Sequence, residues 1–176
     1  MIFVNSVAKT VLETERLLLR ELVESDLDFL ASMLADPDVS HHYDRRFSRE
    51  AADEWLHRQI ERYHRDGHGL WLATERQTGT PVGQVGLILQ SVEGQKRPEI
   101  GWLLDRPQWG KGYATETATA VRDAAFSRWH YPEVISLIRG ANTPSQRVAE
   151  RIGMAAGPRV WFNGFEHVVY RAEPAI

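Results

Sequence analysis

Two short apolar runs, EIGWLLD (99–105) and VISLIRG (134–140), flank a stretch that reads as neither loop nor strand. Between them Ala114, Ala118, Val121, Ala125 and Trp129 recur at helical spacing. A strand, a helix and a strand in that order close most simply as a parallel pair with the helix crossing one face. The other neighbouring apolar runs are separated by short polar turns, which favours antiparallel pairing. The chain is thus constrained to a mixed sheet, in an α/β or α+β domain.

The remaining elements fit that frame. RLLLREL (16–22) reads as a strand, and Ser25 is placed to cap a helix with Asp28 at its N3 position. Leu27, Leu30, Ala31 and Leu34 follow at helical spacing until Asp36-Pro37-Asp38 stops them. A polar connection, SHHYDRRFS (40–48), leads to a second helix capped by Ser48, with Ala52, Trp55, Leu56, Ile60 and Tyr63 on its apolar face and Gly67 at its end. GLWLATER (69–76) and VGQVGLILQ (82–90) read as antiparallel strands, and SVEGQKR as the connection to the next. ANTPSQRVAERIG (141–153) is a short helix capped by Asn142 or Thr143. VWFNGFEHVVYR (160–171) is a hairpin turning at Asn163-Gly164. No repeat or linker interrupts this order, so residues 1–176 read as a single domain.

Composition removes several function classes. With a net charge of −3 there is no basic footprint for nucleic acid and no polybasic membrane patch. The absence of cysteine excludes disulfides, cysteine zinc sites and a thiol nucleophile. His64 and His68 have HxxxH spacing, but Arg65 stands where a metalloprotease needs glutamate, so no metal is expected. MIFVNSVAKT has no secretory pattern, and no run approaches the ~18 apolar residues of a membrane span, so the expectation is a soluble cytoplasmic protein.

The sharpest local feature is QWGKGYATE (108–116), where a strand hands over to a helix through two glycines. The first N–H groups of a helix lack intrahelical partners, and the helix dipole is positive there. Gly110 and Gly112 strip the turn of Cβ atoms and Ala114 keeps its wall low, so a phosphate can touch the main chain directly, with Lys111 adding charge at the rim. The plain alternative is that the glycines only make a tight turn. Neither GxxxxGK[ST] nor GxGxxG is satisfied, since Gly110-Lys111-Gly112 lacks the P-loop gap and Thr115 stands where the dinucleotide fingerprint needs glycine or alanine.

EIGWLLDRPQWGKGYATE resembles the acyl-coenzyme-A-binding segment of the GNAT N-acetyltransferases, in the branch that includes enzymes acetylating the N-termini of ribosomal proteins. The family's Gln/Arg-x-x-Gly-x-Gly/Ala pattern falls on Trp109, Gly112 and Ala114, with Trp109 departing from Gln/Arg. The branch's Asn-x-x-Ser helix falls on Asn142 and Ser145 and ends at Gly153, and TERLLLREL (14–22) resembles its first strand.

The resemblance implies a mixed, mostly antiparallel twisted sheet of about six to seven strands with about four helices, and a splayed strand pair that binds acetyl-coenzyme A. It places the main chain of Leu103 and Leu104 along the pantetheine, and Trp109, Gly110, Lys111, Gly112, Tyr113, Ala114 and Thr115 around the pyrophosphate. Asn142 either positions the pantetheine or caps its helix. Ser145 shares an inward face with Val148, Ala149 and Ile152, while Arg147 and Arg151 point away, and similar enzymes use a Ser or Tyr to protonate the leaving thiolate. Glu99 opens the cofactor strand, where an apolar setting raises a carboxylate pKa toward a base's value. As a plain strand-end charge it is simply solvated. Glu166 and His167 are weaker candidates, and Glu116 fits a structural role better. His41, His42 and Tyr43, with Trp161 and Phe165, are candidates to wall the acceptor site. The reaction implied is direct acetyl transfer to a primary amine, whether a protein N-terminus or a small molecule. A coenzyme A sensor without turnover and a transferase of another acyl group are the alternatives, and a homodimer is compatible with the sequence.

Overall fold

The computed structural model describes residues 8–43 and 46–175, so the first seven residues and Asp44-Arg45 of the polar connection lie outside it. The strands are β1 (Thr10–Glu13), β2 (Leu17–Arg20), β3 (Leu70–Glu75), β4 (Pro81–Val92), β5 (Gln95–Leu104), β6 (Val134–Arg139), β7 (Ala155–Phe162) and β8 (Phe165–Ala172). The helices are α1 (Leu27–Ala35), α2 (Arg49–Asp66), α3 (Tyr113–Ser127) and α4 (Thr143–Arg151). The eight strands form one sheet in the order β1-β2-β3-β4-β5-β6-β8-β7. Among the described residues only β5 and β6 pair in parallel.

The eighth strand exceeds the expected six to seven. β1 is a four-residue, partly exposed edge strand, too short to show an alternation of its own. The segment SVEGQKR is strand rather than connection. Glu93 and Gly94, with φ of 49° and 80°, make a two-residue turn whose hand matches the sheet twist, so β4 and β5 stay paired up to Val92 and Gln95. Asn163 and Gly164 do the same for β7 and β8.

Ser25 does not cap α1. A short 3-10 turn, Glu24–Asp26, precedes it, and the Asp26 carboxylate accepts the Val23 N–H at 2.9 Å while taking both guanidinium nitrogens of Arg20 at 2.8 Å. At α2 the local signals hold: Ser48 Oγ accepts the Ala51 N–H at 3.2 Å, and Gly67 ends the helix at φ 76°.

Alternation along β3 divides the core. Trp71 and Ala73 pack with Val121 and Ala125 of α3 and Ala149 of α4 on one face. Leu72 packs on the other with Leu30 and Leu34 of α1 and Leu56 of α2. Leu56 and Leu72 are fully buried, each stabilising the fold by on the order of 2 kcal/mol.

The decisive feature for the site is where the β5–β6 ladder stops. The two strands pair only at Glu99 and Ile135. β5 then runs on beside β4 to Leu104, and β6 beside β8 to Arg139, so a wedge opens between them. Side chains take over the bonds that the ladder loses. Ser136 Oγ donates to the Ile100 carbonyl at 2.8 Å, and the Leu137 N–H donates to Glu99 Oε1 at 3.2 Å.

Candidate functional site

Two cavities meet at this wedge. The first, of about 830 Å³, follows the C-terminal half of β5 to the glycine turn and α4. The second, of about 950 Å³, lies under α2, β6 and the β7–β8 hairpin. Trp102, Leu103 and Ser145 line both, as do Val39, His42 and Asn142. A ligand in each would therefore meet at the mouth of the splay.

The glycine turn has the geometry of an anion cradle. Gly110 and Gly112 have φ of 76° and 80°, a region that costs side-chain-bearing residues about 1–2 kcal/mol. A Cβ on Gly110 would find no atom within 4 Å, so the approach is clear. The first bond of α3 runs from the Glu116 N–H to the Gly112 carbonyl at 3.1 Å, and among the described residues no acceptor is paired with the N–H groups of residues 110–115. Tyr113, Ala114 and Thr115 face the cavity, and Tyr113 anchors the helix start by donating its hydroxyl to Glu75 at 2.9 Å.

Lys111 is not on the cavity wall. Its ammonium donates to Gln108 Oε1 at 2.8 Å, and its carbonyl accepts from Arg16 at 2.9 Å, which fixes the turn. The cavity's cations come instead from Arg147 and Arg151 of α4, which point away from the core but onto the cleft. Trp109 is 48% exposed and lines the cleft, with its indole N–H held by the Leu104 carbonyl at 2.9 Å. Glu116 is structural, accepting from the Thr14 hydroxyl and from Arg16 at 2.6–2.9 Å.

The strand's main chain is phased one residue from expectation. A Cβ at Gly83 of β4 would collide with the Leu103 carbonyl oxygen, so Leu103 turns its polar groups to β4. The Ile100 carbonyl turns to β6, and alternation aims Trp102 and Leu104 into the wedge with it. Leu103 contributes its side chain. The main-chain groups facing the wedge are those of Trp102 and the N–H of Leu104.

Ser145 sits at the junction. Its Oγ accepts from the Trp102 indole at 3.3 Å, leaving the hydroxyl proton to be donated elsewhere. Asn142 caps α4, its Oδ1 accepting the Ser145 N–H at 3.2 Å.

Glu99 lines the second cavity with both carboxyl oxygens held, Oε1 by Leu137 and Oε2 by Gln90 at 3.1 Å. Burial pushes its carboxyl up to about 7, against the lowering effect of these two bonds and of Arg62. That is the value a general base needs near neutral pH.

The acceptor-side candidates divide. His42 lines both cavities and is pulled below the usual imidazole range by burial, His41 and Arg139. His41 reaches only the first cavity. Tyr43 lines the second with Phe47 and Trp55, and although the residue is 39% exposed, burial and Glu99 push its hydroxyl up to about 12. Phe165 and His167 line it too. Trp161 does not. It is 75% exposed, because strand alternation turns Phe162 inward in its place. Glu166 is taken up by surface Arg159 at 2.5 Å.

Sequence reading also passed over Trp55, Arg58, Gln59 and Arg62, a stripe of α2 on the second cavity, and Arg139 of β6. The i, i+3, i+4, i+7 spacing was visible, but nothing in it says which side of an amphipathic helix meets a cavity. A Glu24–Asp53–His57 cluster is the only grouping with metal-like spacing among the described residues, and it is superficial. No helix among the described residues is long and apolar enough to cross a membrane.

Residues 16–155 match the Acetyltransferase (GNAT) domain family. An uncharacterised protein of Bacillus subtilis, YkkB, is 40% identical over 152 residues, covering 84% of this chain and 86% of that protein. The crystal structure of an acetyltransferase from Agrobacterium tumefaciens superposes with a TM-score of 0.82 at 32% identity, over 93% of this chain and 94% of that one. A ribosomal-protein L7/L12 α-N-acetyltransferase solved with coenzyme A shares the fold at a TM-score of 0.78 and 17% identity, over 94% and 98% of the two chains.

Proposed function

We propose that this chain, which by that domain match over residues 16–155 belongs to the GNAT acetyltransferase family, transfers an acetyl group from acetyl-coenzyme A directly to a primary amine held in the second cavity. One observation carries the reading: a phosphate-ready cleft and a cavity holding a carboxyl poised near pH 7 open onto each other where β5 and β6 part.

The residues present fit coenzyme A. The unpaired N–H groups of 110–115 and the guanidiniums of Arg147 and Arg151 suit its phosphates. The edge of β5 at Trp102 and Leu104 suits its pantetheine amides. When bound, acetyl-coenzyme A supplies the activated acetyl thioester.

The chain supplies position and proton handling. An amine attacks as the free base, while lysine-like amines sit near pKa 10.4 and N-terminal amines near 8. Glu99, as carboxylate, takes the ammonium proton directly or through water. Main-chain N–H groups at Trp102 and Leu104 offer donors toward the oxygen on which charge develops during attack. Ser145 Oγ gives its proton to the departing thiolate and regains one, directly or through water, from the attacking nitrogen, which sheds its second proton as the amide forms. With no cysteine and no Ser–His–acid grouping at Ser145, one direct transfer is the economical route.

The test is release of coenzyme A thiol with the full chain, acetyl-coenzyme A and a panel of amines and peptides, with the acetylated product identified by mass. Turnover on at least one amine is expected. Tight coenzyme A binding with no turnover on any acceptor would assign a sensor instead, and a preference for a longer acyl chain would reassign the donor.

A further inference from the structure

We propose that the acceptor is an amine whose own molecule carries a carboxylate, such as a free amino acid or short acidic peptide, and that Arg58, Arg62 and Arg139 clasp that carboxylate. The inference rests on the transferase reading and names its substrate class.

The second cavity carries an excess of positive charge. Among the described residues its full cations are Arg58, Arg62 and Arg139, and its one carboxyl is Glu99. Among the described residues none of the three arginines is in a salt bridge, whereas Arg16, Arg20 and Arg97 hold carboxylates elsewhere on the chain. His42 and His167, both on the wall, are drawn toward the neutral form by burial and by Arg139. A polycation entering here would meet like charge, while a carboxylate would meet unpaired guanidiniums.

Two of the arginines, Arg62 and Arg139, are also held in place. Arg58 and Arg62 stand one turn apart on α2, an arrangement of like charges that weakens a helix unless an anion bridges them. Arg62 donates to Gln59 Oε1 at 3.1 Å, and Gln59, fully buried, is fixed in turn by the Leu70 N–H at 3.1 Å. Arg139 donates to the His42 carbonyl at 3.1 Å and lies 3.8 Å over the Phe165 ring. These contacts orient the guanidiniums without neutralising them, which is the arrangement for bidentate carboxylate recognition.

Base and clasp share one space. Arg62 is among the groups acting on the Glu99 carboxyl, and Glu99 among those acting on Arg62. One small molecule can therefore present its ammonium to Glu99 and its carboxylate to the α2 arginines.

The experiment pairs each aminocarboxylate with its amide, for example β-alanine with β-alaninamide and a glutamate-containing dipeptide with its diamide, and adds spermidine. The readout is kcat/KM for coenzyme A thiol release by the full chain. The free acids are expected to exceed the amides by at least about tenfold, the worth of one charge-assisted hydrogen bond, with spermidine lowest. Arg58→Gln, at an exposed helix position, should pull the acid-to-amide ratio toward one, and Arg62→Gln should do so further; a purely structural role would leave that ratio in place. Equal rates for acids and amides, or a preference for spermidine, would overturn the clasp while leaving the transferase standing. Should no amine turn over, calorimetric titration of the coenzyme A complex with the same pairs decides: selective binding of the acids upholds the clasp, and its absence refutes it.

Discussion

Glu99 Oε1 accepts the Leu137 main-chain N–H at 3.2 Å, across the line where β5 and β6 cease to pair. A side chain thereby fills a bond that a continuing ladder would have made through the main chain. The same contact fixes the one carboxyl that lines the second cavity among the described residues. The opening of the wedge and the placement of this carboxyl have a common origin.

Activity should follow the ionisation of that carboxyl. With acetyl-coenzyme A saturating, kcat/KM for the amine should rise with pH through about 7 in step with Glu99 deprotonation. Glu99→Gln keeps an oxygen for Leu137, and Gln90 can turn its amide to meet the new NH2. The variant should fold, lose about 100-fold in rate and lose this limb of the profile. A variant with the parent's rate and profile would show that another group takes the proton.

Stability gives an independent reading of the same group. Its folded pKa of about 7 lies above the ordinary 4.5, so the folded state binds the proton more tightly. The resulting contribution is full below pH 4.5, falls as pH rises from 4.5 to 7 and is gone above 7; its span is roughly 3 kcal/mol. Buried His68, held below its usual range by burial, works in the opposite sense and is lost as pH falls. The difference between parent and Glu99→Gln in denaturant midpoints across pH 4.5–8 isolates the Glu99 share, and should change by this amount. A constant difference would mean an unperturbed carboxyl.

Much of this architecture could be read from residues whose effect is local. The Ser48 cap, the Gly67 stop, the Asn163-Gly164 turn and the positive-φ turn at Gly110 and Gly112 each act within a few positions. The parallel crossover followed from one helical stripe between two apolar runs. The wedge was implied only by family resemblance, because it depends on Glu99 and Ser136 bonding across two strands distant in sequence. Side-chain alternation does not reveal which edge of β5 is left unpaired, so the expectation aimed the main chain of Leu103 at the wedge, where the structure turns that of Trp102. Trp161 and Phe162 were indistinguishable until the phase of β7 was known. Arg58 and Arg62 lie outside the apolar face by which α2 was recognised, and only the structure shows the cavity that they line.

Ser145→Ala should lower kcat by about tenfold or more at neutral pH, with little change in acetyl-coenzyme A affinity. The helix keeps its cap, since Asn142 Oδ1 binds the main-chain N–H of residue 145 and not its side chain. A free thiol has a pKa of about 8.5, so above that pH the leaving group departs without a donor and the deficit should narrow. A deficit independent of pH would assign Ser145 to positioning Trp102, whose indole it accepts at 3.3 Å.

The cradle is testable with a matched pair of glycines. Gly112 and Gly79 have φ of 80° and 71°, so valine at either position carries a similar backbone strain of about 1–2 kcal/mol. Neither substitution meets a close neighbour: a Cβ at 112 would lie 3.5 Å from an Arg16 nitrogen, and one at 79 would have nothing within 4 Å. Both variants should fold with comparable losses of stability. Gly79 lies in the β3–β4 turn and is absent from both cavities, whereas Gly112 opens α3 at the cleft. Calorimetry should therefore show coenzyme A binding weakened by more than about tenfold in Gly112→Val, where the side chain stands between the phosphates and the N–H groups, and unchanged in Gly79→Val. Equal affinities in the two variants would remove the glycine turn from the cofactor site.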